Sequence, residues 1–146
     1  MSASWRVIDY GILIDEESDE YRTITVESES QLRDTFVELS QESPRIVHLL
    51  APGGEVLILG IGGPYSSLGW IKTPVESNCK IAIGDFNATQ DSIIFQNRGS
   101  AHPIEPEQLF PLNTVLRAVS HFYVKHQLPT WIRWKVWNPH RFCWEE

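Results

Sequence analysis

The sequence predicts an α+β fold, a mostly antiparallel sheet with two main helices packed on it in a single domain. Three observations carry the prediction. Short runs rich in β-branched and aromatic residues recur along the chain, with glycine and proline between them. Two segments, one in each half, switch to the helical period. Strands and helices do not alternate as regular βαβ units, which argues against a parallel sheet. With 146 residues the chain has the length of one domain and buries about 68–70% of its unfolded surface at that size. No repeat, linker or low-complexity tract divides it, so residues 1–146 are expected to form one unit, with 138–146 as a short C-terminal extension.

The first two runs, "WRVIDYGILI" and "YRTITVE", flank an acidic stretch and read as a hairpin-like pair of strands with an acidic connection. In "SESQLRDTFVELSQESP" the period changes: Leu32, Phe36 and Leu39 recur at i, i+4 and i+7 and so share one helix face. Ser28 and Gln31 have capping-box spacing at its start, and Pro44 is the expected stop. Three apolar runs follow, "RIVHLLA", "GEVLILGIG" and "CKIAIGD", separated by Pro-Gly-Gly and Gly-Gly-Pro, and they read as strands of a meander. "DSIIFQN" and "GSAHPI" make a further pair around "NRG", with Arg98 and Gly99 at the turn.

"EPEQLFPLNTVLRAVSHFYVKHQLP" is the second helical stretch. Leu112, Val115, Leu116, Val119, Phe122 and Tyr123 form an apolar stripe, and Pro129 limits its end. A helix this apolar on one side must lie on a hydrophobic sheet face. The following "WIRWKVW" carries Trp131, Trp134 and Trp137, whose spacing suits a helical stripe or a strand. Pro129 and Pro139 leave room for a short element only, and Trp, Ile and Val favour strands, so a strand is expected. Ile132, Trp134 and Val136 then point one way, with Trp134 in the core, while Trp131, Arg133, Lys135 and Trp137 point the other way.

Charge is unevenly placed. Lys and Arg number 12 and Asp and Glu 19, a formal balance of −7. Residues 1–73 hold 12 acids and 5 bases, whereas residues 74–146 hold 7 of each, so the whole excess lies in the first half. Much of it is in "DEESDE", where Asp15, Glu16, Glu17, Asp19 and Glu20 are five acids in six residues. Such a run either keeps the chain soluble as a solvated loop or attracts a basic surface; in both cases it repels nucleic-acid phosphates.

The motifs that would carry chemistry are missing. "GIGGPY" has glycines, but the third position of G-x-G-x-x-G falls on Tyr65 and no Gly-Lys-Ser/Thr follows, so it reads as a turn after a strand. His121 and His126 are five apart and lie on different helix faces; His140 and Cys143 offer half a metal site with no second pair. Cys79 and Cys143 match no redox spacing and are expected as buried or free thiols. Neither H-x-E with P-C-x-x-C nor G-x-S-x-G occurs. Adjacent carboxylates in "DEESDE" lack the fixed separation that acid/base work requires. No enzyme, cofactor or metal is expected. No apolar run approaches the ~18 residues of a membrane span, and "MSASWRVIDY" lacks a signal-peptide pattern, so a cytoplasmic location is the expectation.

The Pro-x-Glu start "IEPEQL", the amphipathic stretch ending "SHFYVKHQLP" and the tryptophan strand "WIRW", preceded by "GGEVLILGIGG" and "KIAIGD", resemble the C-terminal half of immunity protein family one of bacterial polymorphic toxin systems. The likeness covers roughly residues 45–134. It implies an α+β protein encoded beside a toxin gene and protecting the producing cell, the toxin often being a deaminase that acts on nucleic acid. The family's C-terminal tryptophan maps onto Trp134, as a core residue, and the family supplies no catalytic residues. The chain departs from it in the tail "KVWNPHRFCWEE".

Two functional expectations follow. The first is a stoichiometric inhibitor of a toxin domain, with no direct contact to nucleic acid or membrane. Asp15, Glu16, Glu17, Asp19 and Glu20 would steer association, and Tyr65, Trp70 and Trp137 would serve as exposed anchors. The second is a small-ligand protein or enzyme built near the glycine-rich strand ends with His102 and Asp85; it predicts a pocket of a few hundred Å³. The oligomeric state stays open.

Overall fold

The computed structural model describes residues 4–15, 17, 20–72, 79–84, 92–138, 141 and 143–146, and of residues 12–15 the backbone alone. In chain order these residues form β1 (Trp5–Asp15), β2 (Glu20–Val26), α1 (Glu29–Ser40), β3 (Arg45–Leu50), β4 (Glu55–Ile61), β5 (Tyr65–Lys72) and β6 (Cys79–Ile83). They continue with β7 (Ile93–Asn97), β8 (Ser100–Ile104), β9 (Phe110–Pro111), α2 (Leu112–Lys125), β10 (Arg133–Asn138) and β11 (Cys143–Glu145). The main sheet runs β11-β10-β6-β5-β4-β3-β1-β2, every neighbouring pair antiparallel. The expected class, an antiparallel sheet carrying two helices, is the observed one.

Alternation divides the sheet into two faces. Trp5, Val7, Val47, Leu49, Leu57, Leu59, Leu68 and Ala82 meet Leu32, Phe36 and Leu39 of α1 and Val115, Leu116, Val119 and Phe122 of α2 in the main core. Both predicted helical stripes are thus turned onto one side, the helix face. On the opposite face a smaller cluster of Ile46, Phe95, Ile104 and Leu109 forms where the β7–β8 hairpin folds over β3 and β4. Gly60 makes that approach feasible, because a Cβ there would lie 2.5 Å from Ser67 Oγ and 3.1 Å from the Phe95 ring. Arg98 and Gly99 both have positive φ, 53° and 81°, the backbone signature of the two-residue hairpin turn expected at that point.

The cap of α1 forms with a one-residue variation. Ser28 Oγ accepts from the Gln31 N–H at 3.1 Å, while Gln31 Oε1 accepts from the Glu27 N–H at 2.8 Å instead of reaching Ser28. The helix ends at Ser40, ahead of Pro44, with the Gln41 N–H bonded to Glu38 O.

Four expectations change. "YSSLGWIK" is β5, a central strand that the apolar pattern does not announce, since Ser66, Ser67 and Gly69 interrupt it. The second helix starts at Leu112; Pro106–Gln108 is a single 3-10 turn and Phe110–Pro111 pairs with β5 before the helix begins. Trp131 precedes β10, so it does not share a strand face with Arg133 and Lys135. Within the short C-terminal extension, which the sequence left without an assigned element, Cys143–Glu145 returns as edge strand β11 beside β10.

Candidate functional site

The acidic hairpin lies at one edge of the sheet. Asp15 in β1 pairs with Glu20 in β2, and Glu17 and Glu20 are exposed. Glu16 and Asp19 lie outside the described residues, as does the side chain of Asp15. Lower down the hairpin the register advances from Asp9 to Leu13 on β1 while moving only from Arg22 to Tyr21 on β2, a bulge. The bulge ends β1's pairing with β3 at Asp9↔Val47, and β7 takes the vacated place through the parallel pair Arg45↔Gln96.

At the bulge sits a closed ion network. Asp9, fully buried, accepts from the Gly11 N–H at 2.9 Å through Oδ1 and from Arg22 and Arg45 at 2.8 and 3.4 Å through Oδ2. Glu42 at the end of α1 bonds Arg45 at 2.5 Å and lies 3.5 Å from Arg22. Two of the five basic residues of the first half are therefore turned inward to hold the hairpin root. They do little to offset the acids at its end.

The three aromatics expected as exposed anchors are half-buried instead. Tyr65 packs against the smaller cluster, and Trp70 against the main core with Lys80 Nζ 5.4 Å above its ring. Trp137 meets Trp144 across the β10–β11 pair, edge to face at 5.2 Å. The exposed tryptophans are Trp131, 44% accessible and stacked under the Arg117 guanidinium at 4.6 Å, and Trp144, 36% accessible. Trp144 is the residue sequence reasoning missed, although the short run "RFCW" beyond the Asn-Pro pair 138–139 is a readable signal for a returning strand. The acids and the Trp137–Trp144 pair do not form one patch. They stand at opposite ends of an eight-strand path, on the order of 30 Å apart along a sheet with ~4.8 Å between strands.

Between the β7–β8 hairpin and Trp144 the open face of the sheet holds a cleft of about 340 Å³. Register places its floor: His48 pairs with Ile58, Ile58 with Gly69, and Gly69 with Ile81, one row running across four strands. Asn97, His102 and Ile104 of the hairpin form one wall. Tyr10 packs edge to face on His48 at 4.6 Å and carries the Arg98 guanidinium at 4.4 Å on its ring. Burial and the nearby Arg98 charge lower the His48 pKa to about 4, so its imidazole is neutral at physiological pH. His102 lines the cleft; Asp85, its expected companion, lies outside the described residues.

No protein-family profile and no curated protein sequence matches the chain. Its chemistry must speak for it. Among the described residues no group of three or more His, Cys, Asp and Glu is placed to hold a metal ion, and no helix is long and apolar enough to cross a membrane. Cys143 is a free thiol.

Proposed function

We propose that the protein is the immunity component of a bacterial polymorphic toxin system, acting in the cytoplasm of the producing cell. It binds a cognate toxin domain, a nucleic-acid deaminase, and covers the groove through which the toxin takes its polynucleotide. The observation that carries this reading is the pair of exposed acids Glu17 and Glu20 at the end of the β1–β2 hairpin, at a sheet edge and above a root that ties Arg22 and Arg45 inward. A groove that binds phosphates is basic, and an acidic surface is its electrostatic complement. The resemblance of "IEPEQL", "SHFYVKHQLP" and "WIRW" supports the same assignment. So does Trp134, packed against the main core with its indole N–H donating to Pro129 O at 3.2 Å, the core position the resemblance gives it.

The test is direct. The purified chain, mixed with the toxin domain encoded beside it, should form a stable complex and stop deamination of a polynucleotide substrate. Deamination that continues undiminished with the chain in excess sinks the proposal.

A further inference from the structure

We infer that the cleft on the open face is a small-molecule site for a flat, uncharged ring compound carrying a hydroxyl or N–H donor at one end. This goes beyond the inhibitor reading and does not rest on it. Size and shape come first. A volume of about 340 Å³ falls at the lower end of ordinary ligand pockets. The floor row from His48 to Ile81 spans three strand spacings, roughly 14 Å, so the cleft is a trough across the strands. Beyond Ile81 the row continues to Lys135, whose ammonium lies 4.0 Å from Glu107.

Gly69 is what gives the trough its depth. Its φ is not in the left-handed region, and a Cβ built there would meet Lys80 O at 3.4 Å and Ile58 Cβ at 3.7 Å, ordinary contacts. Neither backbone conformation nor close packing demands glycine at this position. What a side chain would remove is the space between Ile58 and Ile81, a slot with apolar sides that suits a thin ring.

Charge and polarity narrow the class. Among the described residues no Asp or Glu lines the cleft. Lys80 is among the lining residues, but its ammonium is held over the Trp70 ring at 5.4 Å. The nearby cations are already engaged, Lys80 by the Trp70 ring, Arg98 by the Tyr10 ring and Lys135 by Glu107, so a charged ligand would lose its water there for little counter-charge in return. At the β3 end stands His48, whose neutral imidazole offers an acceptor nitrogen as well as a donor. Asn97 stands on the adjoining wall. A donor at that end of the ligand would be received by the His48 imidazole; a ring without one would leave that nitrogen unpaired. Trp144 at the rim supplies an aromatic face for stacking.

The experiment uses 2-naphthol as probe, with 2-methoxynaphthalene and 2-naphthoate as controls, followed by heteronuclear NMR titration of the whole chain. Saturable shifts centred on Ile58, Gly69, Ile81 and Trp144 are expected with 2-naphthol, with at least fivefold weaker binding of the methoxy ether and of the carboxylate. Gly69→Leu, which fills the slot, should weaken 2-naphthol at least tenfold. If that variant loses its cooperative thermal transition, Trp144→Ala at the exposed edge strand carries the same test. The absence of saturable shifts, shifts centred elsewhere, equal affinity for the three probes, or undiminished binding by a folded variant would each overturn the inference.

Discussion

Arg45, the first residue of β3, holds a guanidinium nitrogen 3.4 Å from the fully buried Asp9 carboxylate of β1, and it does so in the space left by the absent side chain of Gly11. A Cβ on Gly11 would stand 2.6 Å from Arg45 Cδ. The bulge in β1, the end of α1 and the start of β3 are thereby fastened at one point. Removing the carboxylate leaves buried Arg45 with the more exposed Glu42 carboxylate as its remaining counter-charge among the described residues. Asp9→Ala should cost about 3–5 kcal/mol, read as a lowered urea midpoint with unchanged slope. A loss below about 1 kcal/mol would mean that Glu42 alone satisfies the arginine.

His48 predicts a pH dependence with a definite sign. Its folded pKa is lowered to about 4 from 6.5, so the unfolded chain binds more protons between those values. Stability from this group is complete above pH 6.5 and is lost as pH falls toward 4. Going from pH 7 to pH 5 should remove about 1–2 kcal/mol by linkage. His48→Gln should flatten that slope in denaturant titrations repeated across the range. An unaltered slope would place the proton uptake on other groups.

How far the fold was legible follows from which elements carry a local signal. Leu32, Phe36 and Leu39, and the stripe from Leu112 to Tyr123, are periodic, and both became core helix faces. The Trp134 strand was legible because Pro129 and Pro139 bound its length. β5 was not, since its Ser66 and Ser67 are buried polar residues whose places are set by neighbours. The Pro106–Gln108 turn carries the sequence signals of a helix start, yet Phe110–Pro111 is drawn into pairing with β5 before α2 begins. The cleft depends on register. His48, Ile58, Gly69 and Ile81 are far apart in sequence and meet only because four strands align them, which no spacing rule announces.

Gly60 makes the smaller core a sensitive point. Its missing side chain is the seat of the Phe95 ring and of the Ser67 hydroxyl, which accepts from the Gly60 N–H at 3.0 Å. Gly60→Ala should therefore push the β7–β8 hairpin outward and cost about 1–3 kcal/mol, the range for an overpacked site. Faster amide exchange confined to β7 and β8 would locate the damage there. Exchange that quickens uniformly through the sheet would contradict the assignment of Phe95 to this contact.

The acidic run tests electrostatics separately from packing. Substituting Asp15, Glu16, Glu17, Asp19 and Glu20 with their amides removes five negative charges from the end of one hairpin. The ion network around Asp9 at the root is left whole. If the hairpin steers the chain to a basic groove, association with the toxin domain at low salt should slow by about tenfold or more, and its salt dependence should flatten. Dissociation should change far less, because charges that act before contact alter the encounter more than the docked state. Stopped-flow mixing at two ionic strengths separates these rates. A variant that associates as fast as the parent at low salt would confine the acids to keeping the chain in solution, and would shift the search for the interface to the exposed Trp131 and Trp144 surfaces.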